Sequence, residues 1–212
     1  MASQNWSTVW SAVHEERQAL AEDLDALRPE QWDTPSLCPG WDVHDVVAHL
    51  IDSAKTTRWG FARRMVGARF DFDRDNALGI ARERAPAPSG SLAEFRRVAR
   101  YTKTPPAARA TRLVEVFVHG EDIRFPLGIT REYLTEHLVT ALHHQVKTPI
   151  SMGGGKERVS GSRLVATDSV VDGGAGREVR GSTLDLLLAV SGRPVDPSRF
   201  SGEGAAAFVQ QL

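Results

Sequence analysis

The sequence predicts an α+β chain: a bundle of about four main helices over residues 1–150, followed by a small C-terminal α/β domain over residues 151–212. Two observations carry this expectation. As far as Val146 the apolar residues recur at three- and four-residue steps, the period of an amphipathic helix. Beyond Met152-Gly153-Gly154-Gly155, read as a flexible joint, the pattern shortens to segments of strand length.

Each element has its own signal. Trp6, Val9, Trp10, Val13, Leu20, Leu24 and Leu27 form the apolar stripe of a first helix, with Ser7 available as its cap and Arg28-Pro29 as its stop. A loop rich in Pro, Ser and Gly leads to Trp41. Asp42 then caps a second helix, with Asp45 three residues on completing a carboxylate capping box. Val43, Val46, Val47, Leu50 and Ile51 give that helix its buried face, and it is expected to reach the Met65 region.

Residues 71–84 read as a short polar helix, and Pro86, Pro88, Ser89 and Gly90 separate it from another between Ser91 and Tyr101. A helix from Ala107 to Ile123 ends at Pro126-Leu127-Gly128, and Thr130 caps one running to Val146. In the tail, Arg163 to Thr167 and Arg177 to Arg180 read as strands joined by a turn at Asp172-Gly173-Gly174. Leu184 to Val190 reads as a compact helix ending at Ser191-Gly192.

Composition narrows the function. With 26 Lys and Arg against 27 Asp and Glu, the formal net charge is -1. No global field draws nucleic acid or anionic lipid, and neither is expected as a partner. The opening residues MASQNWSTVW show no leader pattern, and no stretch approaches the roughly twenty apolar residues of a membrane span. A cytoplasmic protein, monomeric or homodimeric, is expected. Cys38 is the single cysteine, so any metal site must be built mainly from histidine and carboxylate.

Glu115 and His119 lie four apart on one predicted helix, so both project from the same face. Their flanks are apolar, as are those of His49 in Val46-Val47-Ala48-His49-Leu50-Ile51, and polar side chains in such surroundings require partners. Two histidines and a glutamate on two helices make a three-ligand metal site with open positions, the arrangement of catalytic zinc. The same pattern also fits core groups satisfied by local hydrogen bonds. Asp45 and Asp122 stand where each could orient a ligand imidazole, or serve helix-end electrostatics instead. His14, His44, His137, His143 and His144 read as solvated surface groups, and Cys38 as a packed small side chain.

The segment Pro35-Ser-Leu-Cys-Pro-Gly-Trp41, followed by Asp42-Val-His-Asp-Val-Val-Ala-His-Leu50, resembles the N-terminal signature of the mycothiol-dependent maleylpyruvate isomerase family, part of a superfamily of DinB-like four-helix metal-binding bundles. Glu115-Val-Phe-Val-His-Gly-Glu-Asp122 resembles its second signature. Leu164 to Asp168, Val179 to Gly181 and Leu188 to Arg193 are similar to its small C-terminal domain.

The resemblance implies a divalent metal, usually Zn2+, on His49, Glu115 and His119, with mycothiol as thiol cosubstrate. It implies a metal-bound thiolate acting on a small electrophile. The leading expectation is a mycothiol S-transferase type of enzyme; maleylpyruvate cis-trans isomerisation and a non-catalytic metal or ligand-binding module are the alternatives. A dicarboxylate substrate or carboxylate-bearing cofactor needs a planar cation. Arg193 and Arg180 are the first candidates for that role and Arg124 the third.

Overall fold

The computed structural model describes residues 5–69 and 71–212. The reading of the first ten residues therefore lies partly outside the described residues. By contact the chain sorts into two compact units, one of residues 1–112 and 119–130, the other of residues 113–118 and 131–212. Among the described residues no helix is long and apolar enough to cross a membrane.

The first unit holds α1 (Trp6–Asp25), α2 (Val43–Lys55), α3 (Arg58–Gly67), α4 (Phe72–Glu83), α5 (Pro88–Val98) and both ends of α6 (Ala110–Arg124). α1 is capped by Asn5 rather than Ser7: the Asn5 side chain accepts from the Thr8 amide at 2.9 Å. The capping box on α2 forms as expected, Asp42 Oδ1 accepting from the Asp45 amide at 2.7 Å. Val46, Val47, Leu50 and Ile51 of α2 are buried with Leu20, Leu24, Phe95, Val98 and Ile123. Each such large apolar side chain contributes about 1.5–3 kcal/mol of burial free energy.

The second helix stops at Lys55 instead of continuing to Met65. Thr57 restarts the chain by accepting from the Gly60 amide at 3.1 Å, which makes α3 a separate helix. Polar groups tie the pieces together. The Arg64 guanidinium of α3 binds Asp75 of α4 at 2.7 Å and Asp52 of α2 at 2.7 Å, and Arg82 also reaches Asp52. Pro88, expected to break the chain, opens α5 instead, where its missing N–H is not needed.

His44 departs from the expected surface role. It is buried, its Nε2 lies 2.7 Å from Ser91 Oγ, and its ring meets Trp32 edge-on at 5.2 Å. Ser91 Oγ already accepts from the Ala85 amide at 3.1 Å, so its proton is available to a neutral imidazole. Burial, then the nearby Arg84 guanidinium, pushes the His44 imidazole below its ordinary 6.5, against the pull of Asp42, Asp45 and Asp33. The unfolded chain thus takes up a proton at acid pH that the folded chain resists, and stability is lost as pH falls below 6.5. His14, His143 and His144 shift the same way and add to the slope. Urea unfolding of His44→Gln at two pH values is expected to show a shallower loss toward acid than the parent; equal slopes would remove His44 from this account.

The second unit contains residues 113–118 of α6, α7 (Thr135–Gln145), β1 (Ser162–Ala166), β2 (Asp172–Gly174), β3 (Arg177–Gly181), α8 (Thr183–Val190) and α9 (Ala205–Val209). α7 starts at Thr135, five residues beyond Thr130, and in the intervening segment Tyr133 packs its ring edge-on against Phe117 at 5.2 Å. His137 of α7, expected at the surface, is buried.

The sheet order is β2-β1-β3. Asp172-Gly173-Gly174, expected as a turn, is the edge strand β2, antiparallel to β1 with Leu164 opposite Gly173. β3 lies on the other side, parallel to β1 with Leu164 opposite Val179. The reversal falls at Gly176, whose φ of 150° and close approach to the Gly161 carbonyl admit no side chain. The Gly154-Gly155 pair is likewise packed rather than loose: a Cβ on Gly155 would sit 2.0 Å from the Val190 carbonyl oxygen.

Candidate metal and thiol site

The site is built in the first unit from the loop before α2, from α2 itself and from the C-terminal half of α6. Residues 35–42 form a closed loop. Pro35 and Asp42 bridge, the Ser36 amide and hydroxyl both donate to the Trp41 carbonyl at 2.9 Å, and the Trp41 amide donates to the Cys38 carbonyl at 3.1 Å. The loop is tied to α6 by the Leu37 amide, which donates to the Asp122 carbonyl at 3.2 Å. At the loop's end Arg84 clamps both carboxylates of the α2 capping box, reaching Asp42 at 2.6 Å and Asp45 at 2.7 Å. Asp45 therefore serves the helix end. The first turn of α2 and the loop are fixed together.

From that base α2 presents His49 to His119 of α6. Their rings meet edge-on, 4.8 Å between centroids, and Trp41 lies 5.2 Å from the His49 ring. Both imidazoles are partly exposed, whereas Ala48, Leu50, Val118 and Gly120 beside them are buried. Two of the three expected ligands are thus brought together at a place solvent can reach. Glu115 is buried one turn before His119 on α6.

His119 has a carboxylate behind it, as expected of Asp122: its Nδ1 lies 2.8 Å from Asp122 Oδ2, and Asp122 is fully buried. Cys38 is packed, but its thiol also donates to the same oxygen at 3.0 Å and lies 3.9 Å from His119 Nδ1. The sequence carries no direct signal for this contact. Its only hint was the placing of Cys38 in the tight loop that leads into the His49 helix.

A hydrogen bond from Nδ1 to a carboxylate leaves Nε2 of a neutral imidazole with its lone pair, the usual arrangement of a metal-ligating histidine. The two imidazoles are the kind of donors a zinc-type ion takes. Among the described residues, the group of three whose potential ligand atoms all lie within 4.8 Å of one another is Cys38, His119 and Asp122. His119 belongs to it and to the expected ligand set.

The candidate arginines are differently placed. Arg124 is fully buried, its Nε 2.7 Å from Asp23 and its NH1 3.7 Å from Glu16. Arg180 and Arg193 lie in the second unit. Arg180 Nε donates to Glu178 at 2.5 Å on a half-exposed side chain, and Arg193 NH1 donates to the Ser191 carbonyl at 3.0 Å.

Residues 13–103 match the family described as mycothiol maleylpyruvate isomerase N-terminal domain. The matched residues span the loop and helix that hold Cys38 and His49 and end before α6. Comparison with curated proteins gives no match. Two solved structures share the fold, a crystal structure of the mycothiol-dependent maleylpyruvate isomerase and one of its histidine-to-alanine variant. Their TM-scores are 0.64 and 0.65, each at 16% identity and covering 95% of this chain and 94% of theirs. The likeness bears out the expected architecture of a helical bundle followed by a small α/β region.

Proposed function

We propose that this chain is a metal-dependent enzyme of the mycothiol-dependent maleylpyruvate isomerase type, with His49, Glu115 and His119 as ligands of Zn2+. The observation that carries the proposal is the meeting of two partly exposed imidazoles at 4.8 Å, one of them backed by a buried carboxylate. A metal sealed among apolar side chains would suit a purely structural or binding role; partial exposure suits one that admits a ligand. When bound, a zinc ion supplies the positive charge that lets a thiol lose its proton near neutral pH.

The chain's own residues do the rest. His119, held by Asp122, keeps one nitrogen toward the bound groups, and Trp41 packs its ring against that of His49. A guanidinium is the proposed grip on a substrate carboxylate, from Arg193 or Arg180. Arg124 has a structural role in this proposal, because its guanidinium is buried against Asp23 and Glu16.

Isomerisation takes precedence over net thiol transfer because the matched domain and both solved structures bear the isomerase name. In the isomerisation a thiolate adds to the double bond, the single bond so formed rotates, and the thiol is expelled unchanged. Zinc-loaded protein mixed with mycothiol and maleylpyruvate is therefore expected to yield the trans isomer with the free-thiol count constant. A falling thiol count with a stable adduct to a generic electrophile would favour transfer, and turnover of neither substrate would overturn both.

A further inference from the structure

Asp122 is wholly buried, yet a single one of its oxygens receives both His119 Nδ1 at 2.8 Å and the Cys38 thiol at 3.0 Å. A carboxylate removed from water requires such donors, since its desolvation is otherwise uncompensated. The donors come from opposite sides of the sequence, 84 and 3 residues away, and the loop that delivers the thiol is pinned to Asp122 by its backbone as well. That loop runs directly into α2, so the thiol, the carboxylate and both imidazoles sit on one rigid frame.

We propose that Cys38, Asp122 and His119 form a positioning relay. Asp122 holds His119 as the tautomer protonated on Nδ1 and fixes its ring, leaving Nε2 as the only donor atom toward His49. Cys38 is the second donor to Asp122 and keeps that carboxylate oxygen on the imidazole. Neither residue touches the substrate; both act through His119. The inference rests on the reading of His119 as a metal ligand through Nε2. It differs from a direct metal site on Cys38, His119 and Asp122, which would require Nδ1 and the thiol to give up both hydrogen bonds.

Two measurements separate these cases. Nitrogen-15 spectra of histidine-labelled protein read the His119 tautomer with and without zinc, and competition with a chelator reads zinc affinity. The parent is expected to carry its His119 proton on Nδ1 in both states. Asp122→Asn is expected to lower zinc affinity about 10- to 100-fold, the usual effect of losing such a partner, and to admit the Nε2-protonated tautomer when metal-free. Cys38→Ser, which keeps a donor, is expected near the parent. Cys38→Ala should weaken zinc binding by less than Asp122→Asn. The two cysteine variants keep the test open if Asp122→Asn fails to fold.

A parent protonated on Nε2 would overturn the relay, as would an Asp122→Asn protein with parental affinity and tautomer. So would a thiolate-to-cobalt charge-transfer band in cobalt-loaded parent that Cys38→Ser abolishes, because that places the metal on the trio itself. Failure of the underlying metal reading looks different: the parent would bind neither zinc nor cobalt, and the metal-free tautomer would still decide the relay.

Discussion

His49→Ala and His119→Ala are each expected to abolish stoichiometric zinc binding, and the second is expected to lower stability as well. Three protein ligands are the minimum that holds zinc with a position open to a thiol. Removing either imidazole leaves one histidine and Glu115, and the affinity of such a remnant falls below what survives dialysis. The stability effect of the second follows from its surroundings. His119 Nδ1 lies 2.8 Å from the buried Asp122 oxygen, which the Cys38 thiol also reaches at 3.0 Å. Removing His119 takes a donor from a buried carboxylate, at a cost of about 1–3 kcal/mol. Metal content after dialysis and urea unfolding of both variants check the pair of claims. One zinc per chain retained by His49→Ala would remove it from the ligand set, and a His119→Ala protein as stable as the parent would contradict the account of Asp122.

Much of this arrangement is legible in sequence wherever its cause is local. The Asp42–Asp45 box reads directly because both partners lie within one turn, and Asp122 reads as a partner of His119 because three residues on a helix is contact distance. The break after Lys55 does not read, since the apolar pattern continues through it and only Thr57 signals a restart. Histidine exposure is the least legible feature. α2 is buried on most of its surface, so the five-residue offset of His44 from His49 moves it from one buried face to another, not into water. The Cys38 contact spans 84 residues, and the placing of β3 on the far side of β1 depends on where the chain crosses. Neither has a periodic signature. Spacing and apolar flanks pick out His49, Glu115 and His119 but leave a satisfied core open as the alternative, and the family resemblance falls on the same three residues.

Arg124→Met is expected to be the most destabilising of the arginine substitutions and to leave zinc binding by the folded protein intact. The Arg124 guanidinium has no solvent exposure, and it faces Asp23 at 2.7 Å and Glu16 at 3.7 Å. Removing one member of a buried pair strands the other charges, at about 3–5 kcal/mol. The lower end applies because the Asp23 side chain is 28% exposed and water can recover part of its charge. Methionine preserves much of the buried volume, so the loss measured is electrostatic rather than a cavity. For a chain of this size about 3 kcal/mol corresponds to a midpoint lowered by about 6–12 °C. Arg180→Met and Arg193→Met should differ in kind: the Arg180 side chain is half exposed, so its loss costs little stability, while a carboxylate-holding role for either residue would raise KM. Thermal unfolding, zinc titration and KM for the three variants distinguish the roles. An Arg124→Met protein as stable as the parent but impaired in substrate binding would make Arg124 the carboxylate ligand and refute its structural assignment.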